Sequence, residues 1–163
     1  MSELENVPPK ENDSEAQFMV QRIYVKDSSF ETPNTPAVFQ QQWEPELSLD
    51  LNTQNVELEK GVYEVILTVT ATVKNENTVA FLAEVKQAGI FTIQGAPGDQ
   101  LEHLLGSFCP SILFPYARET ITSHVIHGSF PQLVLAPINF DALYFQQLEE
   151  KQKAKQDEIE TSH

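Results

Sequence analysis

The stretch 78-TVAFLAEVKQAGIFTI-93 decides the fold of this chain. Alternate positions of the stretch are apolar except at Gln87, so a β-strand with one buried face is predicted. The opposite face mixes apolar residues with Glu84 and Lys86. A strand of a small antiparallel sheet usually turns a mostly polar face to water. The half-apolar second face therefore raises the question of what it contacts.

Three further segments predict the rest of a sheet. The β-branched run 62-VYEVILTVTATVK-74 alternates in the same way, and the short polar turn 75-NEN-77 joins it to the first strand as a hairpin. The segment 17-QFMVQRIYVK-26 is typical of a strand, and 43-WEPELSLDL-51 predicts a half-buried one. Residues 52–60 are polar and are predicted to be a connection.

The period changes in the second half of the chain. Leucines at helical spacing predict a helix in 99-DQLEHLLGSF-108, and a second helix, 110–127, begins with a proline and ends before a glycine. Residues 129–140 are predicted to be extended, and a last helix is predicted at about 141–155. A short helical turn is predicted at 36–42. Strands followed by helices predict an α+β fold, a four-stranded antiparallel sheet with helices packed on one face.

Charge and composition divide the chain into three parts. Residues 1–16 predict a disordered acidic arm, 17–148 the folded domain and 149–163 a flexible charged tail. The net charge is −14, and residues 17–145 alone carry −8. An acidic body argues against nucleic acid, whose binders need basic stripes. It favours a basic or cationic partner, with solubility as the alternative.

The cysteine count and the apolar runs indicate the compartment. Cys109 is the single cysteine, so no intrachain disulfide is possible and a reducing compartment is favoured. The N-terminus has neither the basic nor the apolar region of a signal peptide. No apolar run approaches the roughly 18 residues that a membrane-spanning helix needs. The sequence therefore predicts a cytoplasmic protein without direct membrane insertion.

Few residues suggest chemistry. His124 and His127 lie three apart, a spacing that could let them share a metal ion, but no third ligand is near in sequence, and a role at the helix end is favoured. Cys109 is placed at a predicted helix start, where its thiol pKa would fall, yet its neighbours are apolar. Arg118 and Glu119 are favoured as an ion pair over a catalytic pair. No set of acid, base and oxyanion donors converges, so the sequence argues against an enzyme.

Apolar residues are more numerous than a lone domain of this size needs. Trp43, Phe30 and Phe39 flank a loop-rich region, and Tyr144 and Phe145 are adjacent on the last predicted helix. Unused apolar surface of this kind marks an oligomer interface or a binding groove. The alternative is a thick core that uses all of these residues.

Five motifs carry a resemblance to a known family. They are 30-FETPNTPAVFQQQW-43, 62-VYEVILTVT-70, 81-FLAEVKQAGIF-91, 108-FCPSILFPYARETI-121 and 129-SFPQLVLAPINFDALY-144. Together these motifs resemble the SecB family of bacterial protein-export chaperones. The resemblance is collinear from about Phe18 to Leu148, and the last two motifs are its most specific part.

The resemblance implies a homotetramer, a dimer of dimers, without enzymatic activity. It implies an ATP-independent cytosolic holdase that binds unfolded precursor proteins and delivers them to the SecA export motor. The motor's zinc belongs to the partner, so this chain is expected to need no cofactor or metal. The alternative is a dedicated SecB-like chaperone of a single client, such as an antitoxin.

Site residues follow from the same resemblance. The motor-binding patch is expected at Asp27, Glu31, Leu82 and Glu84. The client-binding groove is expected at Trp43, Leu47, Leu49, Leu51, Tyr144, Phe145 and Leu148. The tetramer interface is expected at Ala83, Val85 and Gln87. Core packing remains an alternative for the three leucines, because an alternating strand is most simply core.

Overall fold

The computed structural model describes residues 16–162. Four strands form one antiparallel sheet in the order β1-β4-β3-β2: β1 (Gln17–Glu31), β2 (Pro45–Glu59), β3 (Val62–Asn75) and β4 (Thr78–Gln94). The predicted four-stranded antiparallel sheet is therefore confirmed. β4 and β3 are its central strands, and β1 and β2 are its two edges.

The β3–β4 hairpin carries most of the core. Glu76 and Asn77 both have positive φ, the geometry that closes a two-residue hairpin with the twist of its strands. Alternate residues of both strands are then buried together on one face. The fully buried ones include Val65, Leu67, Val69, Ala71, Ala83, Val85 and Phe91.

The helices lie on that buried face. A short α1 (Gly98–His103) passes through a π-helical turn (Leu104–Phe108) into α2 (Cys109–His127), so the two helices predicted separately run on as one. Pro110 has no N–H to donate to the carbonyl four residues earlier, and the wider π turn accommodates the missing bond. At Gly89 an added Cβ would lie 3.1 Å from Leu113 Cδ2, so this glycine lets α2 approach β4 closely.

Several predicted boundaries were wrong. β1 runs past the predicted strand end at residue 26 to Glu31. β2 continues through residues 52–59, which the side-chain pattern predicted to be part of a connection, because its backbone pairs with β3 as far as Glu59. α3 (Phe140–Thr161) continues past the predicted helix end near 155, and the predicted flexible tail, 149–163, stays a prediction. The predicted turn at 36–42 is a 3₁₀ helix at Ala37–Gln40.

Three other parts of the chain bear on the predicted organisation: residues 129–139, the N-terminal arm and the outward face of β4. Residues 129–139 have neither helix nor strand, as expected for the extended crossover. The predicted acidic arm, residues 1–16, lies outside the described residues except for its last position. Opposite the helices, the outward residues Leu82, Glu84, Lys86, Ile90 and Thr92 of β4 keep part of their surface exposed, whereas Ala88 is buried.

Candidate functional site

The four residues of the predicted motor patch lie together on the outward face of the sheet. Strand register places Glu31 beside Leu82, and it places Ser29 beside Glu84. Asp27 lies beside Lys86 on the same side. Paired residues of antiparallel strands point to the same face, so these side chains form one surface across β1 and β4. We call Asp27, Glu31, Leu82 and Glu84 the acidic sheet patch.

The charge of this patch is largely uncompensated. Thr70 donates a hydrogen bond of 2.9 Å from Oγ1 to Glu84 Oε2, which orients the carboxylate without neutralising it. Among residues 16–162, no basic nitrogen lies within 4.0 Å of the Glu31 or Glu84 carboxylate. Leu82 adds a partly exposed apolar side chain between the acids. A cationic partner with an apolar side chain would fit such a surface.

A second cluster on the same face was missed by the sequence reasoning. Glu64 accepts hydrogen bonds from Tyr24 Oη and, at 2.9 Å, from Lys26 Nζ. Its bond from Tyr24 lowers the pKa of Glu64, while burial raises the pKa of Tyr24 to about 12. Strand pairing brings these residues together across the sheet, so the local pattern of any one strand gives no sign of the cluster. The Glu64 carboxylate thus has a basic partner, Lys26, whereas the Glu31 and Glu84 carboxylates of the acidic sheet patch have none within 4.0 Å among the described residues.

Part of the predicted client groove is brought together between β2 and α3. Leu49, Leu51 and Tyr144 line one cleft at this point. The other side chains along the cleft are Asp50, Thr53, Phe140, Leu143 and Gln147. Leu47, two residues before Leu49 on β2, is 43% exposed, so it is surface and not core. The core alternative therefore fails for Leu47.

The remaining predicted groove residues lie elsewhere. Trp43 lies two residues before β2, with its ring centroid 5.8 Å from that of Phe130. Phe39 lies 5.2 Å from the same Phe130 ring and is half exposed. Phe130 was not among the predicted groove residues. An apolar strip thus follows β2 from this aromatic cluster to Tyr144; we call Trp43, Leu47, Leu49 and Leu51 the β2 strip.

Two groove residues on α3 lie outside the cleft lining. Phe145 is 53% exposed and stacks on His103, with ring centroids 5.7 Å apart. Leu148 is partly buried one turn farther along the helix. Both remain predictions as contact residues for a client.

The residues predicted for the tetramer interface are buried within one chain. Ala83 and Val85 are 0% exposed and Gln87 is 2% exposed, on the sheet face that α2 covers. Within one chain they expose almost no surface, and their place at a tetramer interface stays a prediction. Gln87 Nε2 donates a 3.0 Å hydrogen bond to the Tyr24 carbonyl, while its Oε1 has no partner among the described residues.

Comparison with known proteins places the chain in a family. The SecB family model, described as preprotein translocase subunit SecB, matches residues 11–151. The protein-export protein SecB of Legionella pneumophila strain Philadelphia 1 is 77% identical over 150 residues, covering 92% of this chain and 93% of the relative. The chain belongs to the SecB family.

More distant comparisons agree with this assignment. The SecB protein-export protein of Pseudomonas fluorescens strain Pf0-1 is 54% identical over 94% of this chain and 96% of the relative. A Mycobacterium tuberculosis SecB-like chaperone, Rv1957, was solved in complex with a peptide from the HigA1 antitoxin. It has a TM-score of 0.63 and 14% identity, covering 74% of this chain and 90% of that one. That likeness shows the shared fold alone.

Cys109 does not have the surroundings of a reactive thiol in this SecB-family chain. It is fully buried, and burial raises the pKa of its thiol to about 12. The predicted helix start is absent because the π turn continues into α2, so no free helix end lowers that pKa. A thiol that stays protonated at neutral pH is a poor nucleophile.

The other residues considered for chemistry have structural contacts. The His124 ring stacks on Phe30 with centroids 5.5 Å apart. The Arg118 guanidinium lies 5.9 Å from the Phe114 ring centroid, and it forms no ion pair with Glu119. Within the described part of the chain, no group of three or more His, Cys, Asp or Glu could hold a metal ion. No helix there is long and apolar enough to cross a membrane.

Proposed function

We propose that this SecB-family chain is an ATP-independent cytosolic holdase. It binds unfolded precursor proteins, keeps them competent for translocation and delivers them to the SecA motor. One observation carries the proposal: an apolar strip at one sheet edge and an acidic patch on the open sheet face are separate surfaces. A delivery chaperone needs both, because client and motor are held at the same time.

The β2 strip suits an unfolded client. Its leucines and Trp43 are partly exposed, and the cleft toward Tyr144 adds apolar side chains beside the polar ones of Asp50, Thr53 and Gln147. Burying apolar side chains of any sequence contributes about 25 cal/mol per Å². A folded protein has already buried its own apolar side chains, so such a strip selects the non-native state. Several strips on one assembly would add avidity along an extended chain.

The acidic sheet patch suits a basic partner. Glu31 and Glu84 lack basic partners within the described chain, and Leu82 gives the patch an apolar contact. The resemblance to SecB implies that this partner is the basic, zinc-bound C-terminal segment of SecA. Charge complementarity would set the rate and specificity of docking more than its final affinity. The chain itself would need no catalysis, nucleotide or metal for this role.

Two unpartnered surfaces support assembly as a dimer of dimers. β1 is an edge strand of 15 residues, and Met19 and Val25 on it are exposed. Long edge strands that lack protection pair readily with another chain. The second surface is the outer side of α2, where Ile112 and Tyr116 form an apolar stripe with Phe108 of the preceding π turn. Ala83, Val85 and Gln87 would then affect assembly through α2, which they support.

The named relatives favour general export over a dedicated role. The chain is 54% to 77% identical to proteins named for protein export. The SecB-like chaperone bound to an antitoxin peptide is only 14% identical to it. The export function is therefore preferred to that of a single-client chaperone.

Suppression of aggregation tests this function. A reduced, denatured model protein is diluted into buffer with the full chain and without nucleotide. A general holdase keeps the model protein soluble, and Leu47→Gln in the β2 strip weakens this protection. Because Leu47 is already exposed, the substitution should leave the fold stable. A chain that leaves an unrelated model protein to aggregate, while binding one client, would favour the dedicated alternative.

A further inference from the structure

Three polar side chains join the start of α3 to the end of α1 and to the π turn. Asp141, in the first turn of α3, accepts hydrogen bonds on a single oxygen, Oδ1. One comes from His103 Nε2 at 2.8 Å, and the other comes from Ser107 Oγ. His103 ends α1, and Ser107 lies in the π turn. We call His103, Ser107 and Asp141 the α3 clasp.

The clasp is not required to cap its own helix. Asn139 Oδ1 already accepts a 3.0 Å hydrogen bond from the Ala142 N–H and caps the start of α3. Asp141 is therefore free to bond across to the other helix. Ser107 is only 3% exposed, so without Asp141 its hydroxyl would lose the partner that satisfies it.

Aromatic contacts connect the clasp to the client cleft. The His103 ring lies edge-on to Tyr144, with centroids 5.2 Å apart, and stacks on Phe145. Tyr144 also lies against Gly106, where an added Cβ would be 2.8 Å from Tyr144 Cδ2. The tyrosine ring is thus held against the π turn on one side while it lines the cleft with Leu51 on the other.

We propose that His103, Ser107 and Asp141 are positioning residues for client binding. They hold α3 against the π turn so that Tyr144 stays opposite Leu49 and Leu51 and the cleft is formed before a client arrives. A pre-formed site binds its client more tightly, because no free energy is lost in ordering its side chains when the client binds. The inference rests on the proposed client groove and adds to it residues that no client needs to touch.

Binding of a labelled, permanently unfolded model protein to the full assembled chain tests the proposal. Asp141→Ala removes the acceptor of both hydrogen bonds and should raise the client Kd about five- to tenfold. Asn139→Ala is the matched control, because it weakens the start of α3 without touching the clasp. Its Kd should change by less than about twofold. Equal losses in the two variants would mean that helix stability alone matters and would overturn the proposal.

A conservative rescue separates positioning from simple packing. His103→Gln keeps an N–H donor for Asp141 and should bind clients within about twofold of the natural chain, whereas His103→Ala should not. Equal weakening by Gln and Ala would overturn the hydrogen-bonding role. Thermal unfolding of each variant shows that it is folded at the binding temperature.

A third variant distinguishes failure of the clasp from failure of the groove. Leu51→Gln replaces an apolar side chain of the cleft by a polar one and should weaken client binding whatever the clasp does. If Leu51→Gln weakens binding and Asp141→Ala does not, the groove stands and the clasp proposal is overturned. If Leu51→Gln has no effect, the groove assignment fails, and the clasp proposal fails with it.

Discussion

The two faces of β4 have opposite surroundings although their residues alternate one by one. On the inward face, Val85 and Phe91 are 0% exposed beneath α2. On the outward face, Leu82, Glu84 and Ile90 keep part of their surface exposed. The half-apolar outward face is explained if it contacts another protein instead of the chain's own core. Neighbouring residues on β4 should therefore differ in whether a substitution affects folding or binding.

The largest effect is expected on the inward face. Phe91→Ala removes a fully buried ring and should lower the free energy of unfolding by about 3–5 kcal/mol, since the cavity is only partly refilled. Urea unfolding of the two chains measures the difference. The outward neighbour Ile90 is the control, and Ile90→Ala should cost less than about 1.5 kcal/mol. Comparable losses at the two positions would contradict the division of faces.

An intermediate effect is expected on the outward face. Glu84→Lys reverses a charge in the acidic sheet patch and should weaken SecA binding about tenfold or more, since a cationic partner then meets a like charge. Titration calorimetry with SecA measures this, and client affinity should stay unchanged.

Thr92→Lys is the matched control for that prediction. It adds the same lysine on the outward face of β4, at the end of the strand that pairs with Met19 and away from the patch. SecA affinity should change little in this variant. If Glu84→Lys weakened client and motor binding equally, the two surfaces would not be separate.

The smallest effect is expected at the Tyr24–Glu64 pair and depends on pH. The pKa of Glu64 is lowered in the fold, so its stabilisation is present above its ordinary pKa and is lost as pH falls through the lowered value. The pKa of Tyr24 is raised to about 12, so its stabilisation is present below pH 10 and is lost between about pH 10 and 12. Tyr24→Phe should flatten both declines and cost about 1 kcal/mol at neutral pH.

Unfolding by urea from pH 3 to pH 11 checks this prediction. The natural chain and Tyr24→Phe should differ most near neutrality and approach each other toward the acidic and alkaline ends. A constant difference at every pH would mean that Tyr24 acts by packing and not through its hydrogen bond to Glu64.

The sheet was largely predictable because its signal is local. Period-two alternation in β3 and β4 and the two-residue turn between them depend on adjacent residues. The second half of β2 was not predictable in this way. Residues 52–59 carry mostly polar side chains and join the sheet through backbone pairing with β3, which the side-chain pattern does not report. The sequence did not predict that α1 continues through the π turn into α2, because a proline such as Pro110 is commonly the first residue of a new helix.

The surfaces were predictable only in part. The family motifs gave the positions of the acidic sheet patch, and strand register then explains why Glu31 and Glu84 share a face. The alternation in β4 predicted the burial of the proposed interface residues, but not that the helix covering Val85 comes from later in the chain. The cleft that Leu51 and Tyr144 line, and the α3 clasp, likewise bring together segments that are far apart in sequence. Such long-range contacts leave no periodic signal in either segment.

The central claim is that assembled copies of this chain hold unfolded protein without nucleotide. The most direct test is the native mass of the full chain by light scattering, alone and with an unfolded precursor. The proposal predicts a mass of four chains that rises by bound precursor when no nucleotide is present. A monomer whose mass stays the same when the precursor is added would contradict it.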